Sequence, residues 1–418
     1  GVSGTSAKMA GLYQAVPLEE DRPAENSPMN SRRVTVAGAS LLMCAFGVGM
    51  VVFGSNRHGD LMTLDEITSS SGLMLEVTNE YGSPVSKSMY GWKHIAEPHR
   101  ISTLSVSTLS SSVDASKFSF DWKIVHTEDD AIVTDFSQHG KALTSVEFGF
   151  TLPAREYVVS VEATPEPTSL SAIKQKGLTL SETVVCKYVK REIRQLTSKD
   201  RDRFLAATAT FHRMGAEEGR AKYGPKFTNY EEVTIKHLAR ITLDGCTPYH
   251  GYDTFFTAHE AFVLEFEQAI QAIDPSISSP FWDFTIDTAK YGHMGDIAEK
   301  SELFTYDWFG PLDNSATDGV LTSKYFTSLP VPTNRYDTPE HNGFGIVTDS
   351  LNENPSQYVE RFSSICGLPT KSALAGCTEL NSLFSATSYT AFRTQVQRNH
   401  RTPLCVRVCV CVCVFFFF

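Results

Sequence analysis

The chain has 418 residues, 41% of them hydrophobic, and a formal net charge of −11. That length accommodates two domains with buried cores. The acidic balance, with no basic stretch to neutralise phosphates, argues against nucleic acid as a partner, and no internal repeat is apparent.

Residues 1–31 are polar, with Glu19, Glu20 and Asp21 beside Pro17, Pro23 and Pro28, and read as a disordered tail. Val34 to Gly54 carries no charged residue. As a helix this run would span about 31 Å, close to a bilayer's hydrocarbon thickness, so a transmembrane signal anchor is expected over 34–54. A cleaved signal peptide is the rival reading, although its apolar stretch is usually shorter. Arg22, Arg32 and Arg33 precede the run and Arg57 follows it. The positive-inside rule then leaves the tail in the cytosol, giving a single-pass type II membrane protein whose remaining chain is luminal or extracellular.

Residues 72–190 have a period of two. Phe118, Phe120, Trp122 and Ile124 alternate with Ser119, Asp121 and Lys123, and Tyr157, Val159, Val161 and Ala163 alternate with Val158, Ser160 and Glu162. Such alternation predicts antiparallel strands with one buried face. Further strands are expected over 73–77, 101–108, 131–136, 146–152 and 183–189. About seven short strands with an inward Trp resemble an immunoglobulin or fibronectin type III β-sandwich. A spacer is the default role for such a module, with a docking surface or a carbohydrate contact as alternatives.

From residue 191 the period becomes helical. Thr197, with Asp200 three residues on, forms a capping-box-like start for a helix through Phe204, Leu205, Thr208 and Phe211. A second helix is expected from Glu231 to Leu243, where Val233, His237 and Ile241 share one face. In a third, Phe255, His259, Phe262, Val263, Phe266 and Ile270 step by three and four residues. His237 and His259 thus point inward, and the loop between their helices carries His250. An imidazole on an apolar face must find a hydrogen-bond partner, stay neutral or bind a metal. A lone one is usually a satisfied core residue. Three on two helices and their joining loop point to a metal instead, with copper, zinc, iron and nickel all suited to such donors. Glu260 and Asp253 keep a site of two histidines and one carboxylate open, and His212, near the end of the first helix, rivals His237.

The spacing His237-x12-His250-x8-His259, the pair Phe255-Phe256, then Phe266-Glu267 and Pro280-Phe281-Trp282-Asp283-Phe284, resemble the first copper half-site of tyrosinases, catechol oxidases and haemocyanins. The lead-in from Lys190 and Arg191 through Leu196-Thr197 and Asp200 is similar to the segment that opens that domain, with Lys190 in place of its first Arg. The resemblance implies a mainly α-helical copper domain over 191–400 and a pair of coppers, each held by three histidines. It also implies oxidation of phenols or catechols to o-quinones by dioxygen. His237, His250 and His259 are the ligands it assigns to the first ion, and Glu267 and Asp283 are more in keeping with partners that fix helix and loops than with proton carriers. Some members link a cysteine to the second histidine through a thioether, but Cys246 lies four residues before His250, which departs from the expected spacing.

The family's second half-site, which opens with His-x3-His, is not found. After Asp283 only His293, His341 and His400 remain, no two of them four apart. Phe392 to His400 resembles the approach to that site, and there the pattern stops. Alternating Cys and Val followed by four Phe, from Cys405 to Phe418, is what a translated dinucleotide repeat and a thymine run would give. Residues 401–418 are therefore expected to be non-native, and the helix bundle incomplete through truncation, leaving one half-site. Read literally, the same tail is an aggregation-prone apolar strand. The alternative functions are an oxygen carrier like haemocyanin and a non-enzymatic, membrane-anchored surface protein that keeps the copper fold as structure. Outside the membrane run and the tail, Cys186, Cys246, Cys366 and Cys377 form an even set in a compartment that permits disulfides, with Cys366–Cys377 preferred.

Overall fold

The computed structural model describes residues 72–83, 91–108, 114–129, 131–166, 177–241, 254–292, 294–311, 319–330, 358–359, 364–365, 368–369 and 376–399. All of them fall within one compact unit.

The strands come first in the chain. β1 (Leu73–Thr78), β3 (Ile101–Thr108) and β6 (Ser145–Gly149) form a three-stranded antiparallel sheet in the order β1-β3-β6. A second sheet runs β2-β8-β7-β4-β5, from β2 (His94–Ala96), β8 (Leu178–Cys186), β7 (Glu156–Pro165), β4 (Phe118–Glu128) and β5 (Ala131–Lys141). The alternation in β4 and β7 is realised side chain by side chain. Phe120, Trp122, Ile124, Tyr157, Val159 and Val161 are buried, and they share a core with Leu73, Leu75, Leu104 and Val146 of the smaller sheet. Burying an aromatic ring removes about 150–250 Å² from water, on the order of 4–6 kcal/mol each before entropy is counted. The two buried rings with polar tips find partners: Trp122 Nε1 donates to Leu143 O at 2.8 Å, and Leu152 N donates to the Tyr157 hydroxyl at 3.1 Å.

The sheet differs from the all-antiparallel sandwich expected. β2 pairs with β8 in parallel, His94 opposite Val184. The immunoglobulin or fibronectin type III assignment is accordingly not carried forward.

The helices follow. α1 (Ser198–Arg213) is capped by Thr197, whose hydroxyl accepts from Asp200 N at 3.2 Å, and it buries Phe204, Leu205, Thr208 and Phe211. α2 (Ala216–Tyr223), α3 (Tyr230–Ile241), α4 (Phe255–Ile273), α5 (Phe284–Tyr291) and α6 (Met294–Lys300) continue the unit, and α7 (Cys377–Leu383) and α8 (Tyr389–Asn399) complete it. α1, α3 and α4 share a core built around Phe204, Phe211, Val233, Phe262, Phe266 and Ile270.

Two further expectations are corrected. No helix among the described residues is long and apolar enough to cross a membrane. α4, the longest of them, carries Glu260, Glu265 and Glu267 as well as His259, charge that a hydrocarbon core would not accept without pairing. The transmembrane helix over 34–54 lies outside the described residues, and the anchor and the type II placement drawn from it are withdrawn. Nor is a disulfide formed at Cys377, which is free and exposed; Cys366 and Cys246 lie outside the described residues. Cys186 is likewise a free thiol, and burial in the sandwich pushes it up to about 12, so it behaves as a small core hydrophobe.

Candidate metal centre

α4 carries His259, the one of His237, His250 and His259 whose side chain the structure describes. Its apolar stripe folds against α1 and places His259 inward, 2% exposed, with Phe262 edge-on at 6.4 Å between ring centroids. Two turns later Phe266 meets Phe211 of α1 edge-on at 5.1 Å, which fixes the roll of α4 and therefore the direction in which His259 faces. Glu267, also buried, accepts from Ser279 N at 3.0 Å and pairs with Lys190 at 3.0 Å. It holds the strand-like segment ahead of Phe281-Trp282-Asp283. Asp283 caps α5, accepting from Thr285 N at 3.1 Å and from the Thr285 hydroxyl at 2.5 Å. Both carboxylates are engaged in positioning backbone.

α3 begins where the Asn229 side chain accepts from Glu232 N at 3.0 Å. Val233 is buried on its inner side, and His237 follows one turn later. The side chain of His237, and the whole of the loop bearing His250 and Cys246, lie outside what the structure describes. Among the described residues no group of three His, Cys, Asp or Glu is arranged to hold a metal. Beside His259, burial raises the Glu260 carboxyl above its ordinary range, opposed by Lys190 and reinforced by Glu267.

His212, the rival ligand, sits in the last turn of α1. Its ring stacks on Tyr230 at 4.1 Å and meets Phe211 edge-on at 5.6 Å. Burial, with a smaller contribution from Arg213, lowers it to about 3. It is neutral in the fold at any physiological pH, whereas in the unfolded chain it titrates near the ordinary value of about 6.5. Between those two pH values the unfolded state binds one proton more than the folded state, so stability is full above about 6.5 and falls as the pH drops. Urea titrations are expected to show a loss of about 1.4 kcal/mol per pH unit below about 6.5 from this residue. A His212→Phe variant should lack that increment, and an unchanged slope would contradict the placement.

Two features were not read from the sequence. One is the ion network on Asp287, which accepts from Arg194 at 2.9 Å. The other is the seat of α8. Phe392 stacks on Phe256 at 5.7 Å and Tyr389 meets the same ring edge-on at 6.1 Å. Phe256 lies one turn before His259, so α8 packs against the N-terminal end of the helix that bears the imidazole.

Residues 209–404 match the family model of the common central domain of tyrosinase. This segment is similar to the central domain of the tyrosinase family. Similar proteins include tyrosinase from Streptomyces antibioticus, 27% identical over 143 residues, which is 34% of this chain and 44% of that protein. Tyrosinase from Streptomyces glaucescens is 30% identical over 143 residues with the same shares, 34% and 44%. Grixazone synthase from Streptomyces griseus subsp. griseus is 28% identical over 103 residues, 24% of this chain and 30% of that enzyme. The chain therefore spans less than half the length of these relatives. The tyrosinase segment begins within α1 and contains α3, α4 and α8, whereas the β-sandwich precedes it.

The tyrosinase family is one of copper-dependent oxidases. A buried neutral-capable imidazole on a helix with a dry, aromatic inner face suits copper, and the further histidines carried by α3 and the following loop are donors of the same borderline class. The donor chemistry fits the family's metal.

Proposed function

We propose that the complete protein oxidises o-diphenols, and monophenols where the site admits them, to o-quinones with dioxygen, and that this chain supplies the first copper half-site through His237, His250 and His259. The observation that carries this reading is the seat of α8. The helix whose sequence resembles the approach to the second half-site packs one turn from His259 on α4, so the two halves of a paired site would be brought side by side.

Copper held there would supply the redox chemistry by which two diphenols give up four electrons and four protons to one dioxygen, yielding two quinones and two waters. The chain's own residues do the holding. His259 would offer a nitrogen lone pair from a position that water does not reach, and Phe262 and Phe266 keep that face apolar. Glu267 and Asp283 position the segment and the helix start that follow α4, so the imidazole is held by a rigid scaffold. The haemocyanin-like alternative shares the copper site and differs in releasing oxygen unchanged.

The test is to load the full-length protein with copper and supply catechol. Copper-dependent formation of o-quinone is expected. Bound copper without quinone would favour the reading in which the tyrosinase fold persists only as structure.

A further inference from the structure

The segment 187–197 joins the sandwich to α1, and it is stitched down rather than left free. Lys187 N donates to Ala96 O at 2.9 Å on the sandwich side. On the helical side the Tyr188 hydroxyl donates to Pro275 O at 2.7 Å, Phe281 N donates to Arg191 O and Ile193 N donates to Phe281 O, both at 2.9 Å. A swinging tether would leave these groups to water.

The start of α1 carries a second anomaly. Thr197 is the N-cap and Asp200 the third helical residue, the arrangement in which the acidic side chain normally reaches back to the N-cap amide. Half of that box is present, since Asp200 N donates to the Thr197 hydroxyl. In the other half a foreign group is inserted. Thr197 N donates to the hydroxyl of Tyr81 at 2.9 Å, and that hydroxyl donates to Asp200 Oδ2 at 2.7 Å. Tyr81 lies between β1 and β2, more than a hundred residues away in sequence.

Its ring is held as firmly as its hydroxyl. The guanidinium carbons of Arg191 and Arg100 lie 3.9 and 5.0 Å from the ring centroid. Arg191 comes from the joining segment and is gripped by buried Glu97 of the sandwich through contacts of 2.8 and 2.5 Å. Arg100 comes from the sandwich and donates to the same Asp200 oxygen at 2.7 Å. The joining segment and the sandwich thus each contribute one arginine to the same tyrosine.

We propose that Tyr81 is an interdomain key: the β-sandwich completes the N-terminal cap of α1 and so braces the helical domain, in place of the passive spacer role. α1 packs on α4 through Phe211 and Phe266, so the brace reaches the helix that bears His259. This brace holds whichever metal or substrate the site takes.

Hydrogen exchange on the full chain tests it with Tyr81→Ala and Tyr81→Phe. In Tyr81→Ala, exchange over 187–203 should rise about tenfold or more, while β4 and β7 exchange as in the parent. Tyr81→Phe keeps the ring between the arginines and frees Asp200 to close its own capping box. It should therefore give a smaller rise, confined to the first turn of α1. Should Tyr81→Ala prove insoluble, the phenylalanine variant alone decides. Unchanged exchange over 187–203 in Tyr81→Phe, or an increase in Tyr81→Ala confined to the sandwich strands, would overturn the proposal.

Discussion

Replacing His259 by alanine is expected to lower copper uptake by the chain more than about 100-fold, a larger loss than the 10–100-fold typical of groups that merely orient a ligand. The residue is 2% exposed and lies on the inner face of α4 between Phe256 and Phe262, so no solvent-borne donor can take its place. Because alanine leaves the neighbouring aromatic contacts of Phe266 with Phe211 intact, far-ultraviolet circular dichroism should be unchanged. Equilibrium dialysis against a copper buffer reads the effect. A variant that takes up copper as the parent does would remove His259 from the site.

The second large effect concerns stability. Asp287 of α5 is 1% exposed, and its two oxygens accept from Arg194 at 2.9 Å, from Trp282 Nε1 at 2.7 Å and from the Ser301 hydroxyl at 2.8 Å. Arg194 is in turn held by Glu192, itself buried, at 2.7 and 3.0 Å. Asp287→Ala would strand an indole N–H and a buried hydroxyl and leave the Arg194 guanidinium to Glu192 alone. Removing one partner of a buried pair costs about 3–5 kcal/mol when the charge left behind is unmatched; with Glu192 still on Arg194 the loss is expected toward the lower end, about 3 kcal/mol, carried also by the unpaired indole and hydroxyl. Asp287→Asn keeps an acceptor oxygen and should cost less. Urea unfolding monitored by tryptophan fluorescence measures both, and a loss below about 1 kcal/mol in the alanine variant would show that Glu192 alone satisfies Arg194.

The Asp287 network could not be found by reading along the chain. Arg194 and Asp287 are 93 positions apart, and nothing local distinguishes Asp287 from an ordinary acidic residue in a first helical turn. What was legible is what short-range physics dictates. The stripe of α4 buries His259, Phe262, Phe266 and Ile270 because a period of 3.6 residues leaves no other face for them. The start of α1 falls where Thr197 and Asp200 place it, although the Tyr81 hydroxyl that completes the cap comes from another layer of the fold. β4 and β7 follow from strict alternation around Trp122 and Tyr157, whereas β2 is three residues long and takes its conformation from β8, some ninety positions away.

The histidines divide in the same way. Periodicity places His259 on an inner face, where it is buried, whereas His212, a rival ligand near the end of α1, is buried without its face having been read from the period. Periodicity cannot distinguish a ring that would offer its lone pair to a metal from one stacked on Tyr230, and the proposal of His259 rests on the spacing that resembles tyrosinases. The charge-free run over 34–54 is read from its length, its lack of charge and its flanking arginines, and length with apolar character does not by itself make a membrane helix. α4 illustrates the limit of that measure. It is the longest and among the most apolar of the described helices, and it is committed to a protein core by its carboxylates and by Phe266 on Phe211.

X-ray absorption at the copper edge of the loaded chain addresses the centre most directly. Three imidazole nitrogens per ion, with the multiple-scattering pattern of histidine rings, are predicted, and that pattern should weaken in His259→Ala. A first shell containing sulfur, or a spectrum indifferent to the loss of His259, would contradict the assignment of the copper to these helices.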